Sequence, residues 1–125
     1  MKYTAEYIEA VEEKYTSAFT VFGIYFGNGD PENGGQHWNF TRALGDDDDG
    51  VCTVKEIQQV TIYGAISEFR LSRNMLFCKF VAEAYNETGE RELHIDFEID
   101  DEKWNKLADT AKKIFTGETY FKLLM

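Results

Sequence analysis

The chain has 125 residues, 43% of them hydrophobic and 15% aromatic, and its formal charge is −10, from 13 Lys+Arg against 23 Asp+Glu. That length predicts one domain spanning residues 1–125, able to bury roughly two thirds of its unfolded surface, and the composition excludes a disordered chain. The negative balance makes phosphate backbones and anionic membranes poor partners, and it suits either a basic partner or simple solubility.

The opening "MKYTAEYIEA" has no apolar core of a leader peptide and no small-residue cleavage site, and no run approaches the ~18 apolar residues of a membrane span. A cytoplasmic location is expected. Cys52 and Cys78 form no Cys-x-x-Cys pair, so reduced thiols are the default.

In "YTAEYIEAVEEKY", Tyr7, Ile8, Val11 and Tyr15 fit a helix, while Tyr3, Ala5 and Tyr7 fit a strand. Periodicity leaves the two open. "AFTVFGIYFG" is rich in aromatic and β-branched residues and reads as a strand running into the loop "NGDPENGG". "HWNFTRAL" is a second short strand. "VCTVKEIQQVTIYGAI" alternates, with Val54 and Glu56 on the face opposite Thr53 and Lys55. "EFRLSRNMLFCKFVAEAY" places two apolar runs around Ser72-Arg73-Asn74 and predicts a hairpin. Its second strand, with Leu76, Cys78 and Phe80 against Phe77, Lys79 and Val81, is apolar enough on both sides to be central.

The last unit has the sharpest signal. In "RELHIDFEID" Leu93, Ile95, Phe97 and Ile99 take one face of a strand, and Glu92, His94, Asp96 and Glu98 the other. The period then changes: Trp104, Leu107, Ala108, Ala111, Ile114 and Phe115 follow helical spacing. Asp100 is placed as N-cap, Ile99 and Trp104 as a hydrophobic staple, and Gly117 as the residue after the C-cap. Asp101 and Glu102 in the first turn, and Lys112 and Lys113 in the last, suit the helix dipole.

Three clusters carry candidate chemistry. "GDDDDG", Gly45 to Gly50, invites comparison with a calcium loop. With Gly50 at position 6, Asp47 falls at 3, Asp49 at 5 and Glu56 at 12, but position 1 is Gly45, and the flanks read as strands where helices are required. The tract reads as a solvated turn or as a surface offered to a partner, and no metal is expected there. His94, Asp96 and Glu98 are better read as a solvated strand face than as metal ligands, which usually come from several elements. Beside Trp38, His37 reads as loop packing. No nucleophile elbow, His-Glu-x-x-His or phosphate-cradling glycine loop is present, so neither catalysis nor a cofactor is expected.

Several strings, in order, carry a resemblance: "WNFTRAL", the acidic stretch ending at Gly50, "CTVKEIQQ", "YGAI", "LSRNMLFCKF" and "ELHIDFEIDDEKWNKLADTAKKIF". Over residues 3 to 115 they resemble the immunity protein 10 family of bacterial polymorphic toxin systems, with Val51 or Cys52 where that family usually has Tyr and Glu56 at the position of its glutamate. The resemblance implies a cytoplasmic protein that blocks a toxin domain, and it implies a strand in the first segment.

The expectation is therefore an α+β fold, with one mainly antiparallel, curved sheet of about six strands and a C-terminal helix on one face. The expected function is non-catalytic neutralisation of a basic cognate toxin domain by occlusion of its active site. Asp46, Asp47, Asp48, Asp49 and Glu56 are the candidate contacts. A small-molecule or metal-binding β domain, at most a minor hydrolase, is the alternative.

Overall fold

The computed structural model describes residues 1–15, 17–46, 48–56 and 60–124. In chain order its elements are β1 (Lys2–Thr4), β2 (Tyr7–Lys14), β3 (Phe19–Asn28), β4 (Gln36–Gly45), β5 (Cys52–Lys55), β6 (Val60–Tyr63), β7 (Ile66–Ser72), β8 (Met75–Phe80), α1 (Tyr85–Thr88), β9 (Glu92–Asp96), α2 (Asp101–Ile114) and β10 (Phe121–Leu123). The fold is α+β, as expected, but the strands form two sheets of five where a single sheet of about six was expected. The first has the order β1-β9-β8-β7-β10, and the second is the meander β2-β3-β4-β5-β6. Every pairing is antiparallel except β1 with β9 and β10 with β7.

The chain changes sheet at two bends that alternation does not betray. "YTAEYIEAVEEKY" is strand, but it divides at Ala5-Glu6 into β1 of the first sheet and β2 of the second. "VTIYGAI" divides at Gly64, whose φ of +67° suits glycine, and Ala65. The hairpin turn at Arg73-Asn74 joins β7 to β8, and β8 is the central strand of its sheet.

Period two accounts for the core. Ile8 and Ala10, Phe22, Ile24 and Phe26, and Trp38 and Phe40 are the buried, inward residues of β2, β3 and β4. Phe69 and Leu71, Leu76, Cys78 and Phe80, and Leu93, Ile95 and Phe97 line the first sheet. Aromatic pairs cross between the layers: Trp38 stacks on Phe80 at 5.7 Å, Phe40 meets Phe69 edge-on at 5.0 Å, and Phe26 lies 5.8 Å from Phe97. Burial pushes the Cys78 thiol well above its ordinary pKa.

Helix α2 lies across the same inward face of the second sheet, on β2, β3 and β4. Asp100 caps it, its carboxylate accepting the Lys103 N–H at 2.8 Å, and Trp104, Leu107, Ala108, Ala111 and Ile114 are buried beneath it. The C-cap is Phe115, so Gly117 falls one residue later than expected, in the turn that follows with φ +81°. Among the described residues no helix is long and apolar enough to cross a membrane. With both the first sheet and α2 on one side, no layer among the described residues covers the other side of the second sheet.

A candidate partner-binding face

The uncovered face is built from the alternate residues of the meander. Ladder register aligns Glu9, Tyr25, Asn39, Val54 and Thr61 in one row, and Val11, Gly23, Thr41, Cys52 and Tyr63 in the next. Tyr7, Gly27 and His37 form a row beyond the first, and Glu13, Val21 and Ala43 one beyond the second. Among the described residues in these rows there are two glutamates and no Lys or Arg. Glu56, just past β5, joins this side: its N–H donates to the His37 carbonyl at 2.9 Å, and its Oε1 accepts from Asn39 Nδ2 at 3.0 Å.

Two glycines shape the surface. A Cβ on Gly23 would stand 2.7 Å from the Tyr25 hydroxyl, and one on Gly27 would run into the His37 ring. Both rings therefore lie against bare backbone, an aromatic covering a glycine on the same sheet face. His37 is further fixed by a 2.8 Å contact from Nε2 to the Gly29 carbonyl, and it stacks with Tyr7 at 6.5 Å. His37 is thus part of a strand face and not of a loop.

The electrostatics are coherent. Partial burial raises the Tyr25 pKa, and the carboxylates of Glu13, Glu9 and Glu56 raise it further. Tyr63 is raised by Cys52, by burial and by the Asp49 carboxylate. Burial also lifts the Cys52 thiol, against hydrogen bonds with Thr41, Tyr63 and the Ile62 backbone. Tyr25 and Tyr63 are thus neutral hydrogen-bonding groups at neutral pH, and the charge of the face comes from its carboxylates. Tyr7 and Tyr63 are 64% and 55% exposed, at opposite sides of the face. Exposed tyrosine among fixed polar groups is the composition that protein interfaces favour.

The aspartate tract divides. Asp46 and Asp49 are exposed, and the Asp49 charge acts on Tyr63. Asp47 lies outside the described residues. Asp48 turns to Arg42, whose Nε is 3.1 Å from Oδ1 and whose Nη2 is 3.1 Å from Oδ2, and it also accepts the Gly50 N–H at 2.9 Å. Arg42 in turn donates through Nη1 to the carbonyls of Ile114 and Thr116, at 3.0 and 2.7 Å. It ties the loop to the C-terminal end of α2, where a cation suits the helix dipole. Asp48 is thus a fold contact, while Asp46, Asp49 and Glu56 remain candidates for a partner. Tyr7, Glu9, Glu13, Tyr25, His37 and Asn39 were not among the expected site residues. One signal in the sequence does point to Tyr25: it sits between glycines two residues away on each side, hence on one strand face.

Arg42 holds the Asp48 carboxyl below its ordinary pKa near 3.8. A depressed folded-state pKa contributes stability above the unfolded value, and that contribution is lost as pH falls through the folded value. Asp48→Asn should therefore be less stable than the parent at pH 7. The difference should narrow steadily below about pH 4. Urea unfolding of both proteins at pH 7 and pH 3 checks this, and a gap that is constant with pH would refute the ion pair's role.

His94 and Asp96, on the outward side of the first sheet, are bonded to each other at 3.0 Å, and Glu98 lies beyond the end of β9. Comparison with family models, with curated proteins and with solved structures finds no match to this chain.

Proposed function

We propose that this chain is an immunity protein, which binds a cognate bacterial toxin domain and neutralises it by covering its active site. It would do so in the cytoplasm and without catalysis or a cofactor of its own. The observation that supports the reading is the uncovered face of the second sheet, where tyrosines and glutamates are fixed on a rigid meander among described rows that hold no Lys or Arg. The resemblance of the sequence strings points in the same direction. A toxin that attacks nucleic acid needs a basic cleft to hold a polyanion. Carboxylates at Glu9, Glu13 and Glu56, with Asp46 and Asp49 at the rim, would stand where phosphates otherwise sit. Tyr7, Tyr25 and Tyr63 would supply apolar contact at low entropic cost.

Such charges act chiefly on encounter, over about 8 Å at physiological salt. The test is stopped-flow mixing with the product of the gene adjacent to this chain's own. Neutralising Glu9, Glu13 and Glu56 to glutamine and Asp46 and Asp49 to asparagine should slow association about tenfold or more at low salt. The deficit should shrink in 0.5 M salt, roughly a 4 Å screening length. Stability should stay within about 1 kcal/mol, since the changes are exposed. No complex with the parent protein, or an unchanged rate at low salt, would overturn the reading.

A further inference from the structure

The two sheets have four edge strands, and three are short: β1 and β10 have 3 residues each and β6 has 4. Short edges are a common protection against unwanted pairing. The fourth edge, β2, runs for 8 residues and, among the described strands, pairs only with β3. No described backbone hydrogen bond outside the ladders uses residues 7–14. Alternate N–H and C=O groups along one side of an edge strand face outward, so β2 offers a template for another strand. Beside it runs a groove between β2 and the first turns of α2. Ile8, Ala10 and Leu107 provide its apolar surface, and Asp100, Glu102, Lys103 and Lys106 stand along the helix side.

We infer that β2 and this groove receive an extended segment of a partner protein as a sixth strand of the second sheet, and that the segment alternates apolar and basic residues. The inference rests on the reading of the chain as a binder of a basic protein, and it names how the partner's backbone is held. The alternation follows from the pleat. Residues of the incoming strand on one face meet Ile8 and Ala10 and enter the groove. Those on the other face stand beside Glu9 and Glu13, on the face where Tyr25 also feels both carboxylates. The acidic and basic groups on the helix side offset one another, so the strand side sets the preference. Opposite charges on paired strands are favourable and like charges are not. A second copy of this chain would bring its own Glu9, Glu12 and Glu13 to the same edge, which disfavours self-pairing and leaves a basic strand as the occupant. The edge is also continuous with the tyrosine-bearing face, since Glu9 and Glu13 belong to both.

The test needs no toxin. The uniformly nitrogen-15-labelled protein is titrated with the capped hexapeptide Lys-Val-Lys-Ile-Lys-Val and followed by amide NMR. Shifts should centre on residues 7–14 and on the helix residues of the groove, and the peptide with glutamate in place of lysine should cause none. Two further peptides are N-methylated on alternate residues, one in each phase. Strand pairing requires that one phase weaken binding about tenfold or more while the other binds like the parent. Equal binding by both, shifts centred on Tyr25 and Tyr63 instead of β2, or no shifts at millimolar peptide would overturn the inference. A peptide failure would leave the association-rate test of the open face standing, and a failure of that test would not alter the peptide result.

Discussion

Phe69→Ala should cost about 3–5 kcal/mol in unfolding free energy, the range for a fully buried phenylalanine. Phe69 has no exposed surface, and it joins parts that are separately anchored. Its ring meets Phe40 of β4 at 5.0 Å, Phe115 at the end of α2 at 4.3 Å, and Phe121 of β10 at 6.0 Å. Phe40 is held by its ladder partners on β3 and β5, and Phe115 by its backbone bond to Ala111. Walls fixed this way collapse poorly, so most of the cavity should persist and the cost should fall in the upper part of the range. Phe77, on the outward side of the first sheet beneath the Arg70 guanidinium, is the control. Its replacement removes one half-exposed cation–π contact and should cost about 1 kcal/mol. Urea denaturation of both variants measures the contrast. Equal losses would mean that Phe69 is not the junction between the layers.

What the sequence discloses is what local physics determines. The last strand of that unit, which alternation would carry on to Ile99 but which ends at Asp96, and the helix capped by Asp100 are legible because their signals lie within a few residues of one another: period two, a change of period, a capping aspartate, and charges matched to the dipole. The hairpin at Arg73-Asn74 is legible for the same reason. The division into two sheets is not, because Ala5-Glu6 and Gly64-Ala65 alter which sheet a strand enters without altering its alternation. β1 and β10, with 3 residues each, are too short to show a period. Both are fixed by parallel pairing with distant strands, β9 and β7.

The candidate site divides along the same line. Glu56 could be placed by parity on the face opposite Lys55, and it is there. The division of the aspartate tract depends on Arg42 reaching carbonyls 72 and 74 residues away, which no local pattern encodes. The open tyrosine face becomes visible only once three strands are in register. Tyr25, Glu9 and Asn39 are far apart in the chain and adjacent only across the ladder. The four aspartates attracted attention by density, whereas the charges near Tyr25 come singly from separate elements.

Trp104→Ala should be the other severe substitution, at about 3–5 kcal/mol for loss of a buried indole. Trp104 is 6% exposed and follows the capping residue Asp100 by one turn, where α2 begins to lie on the second sheet. Lys112, exposed in the last turn, should change stability by no more than about 0.5 kcal/mol on going to alanine, by loss of a favourable dipole contact. Equal effects would mean that the buried stripe of the helix has another phase. The comparison also separates fold from binding. α2 and the tyrosine face lie on opposite sides of the second sheet, so Trp104→Ala weakens the fold without removing a group from that face. In conditions where the variant is still folded, it should associate with a basic partner at the parental rate, while neutralisation of Glu9, Glu13 and Glu56 slows association and leaves stability almost unchanged. If Trp104→Ala slowed association as much as charge neutralisation does, the helix side and not the carboxylates of the open face would govern encounter, and the open face would lose its claim to steer the partner.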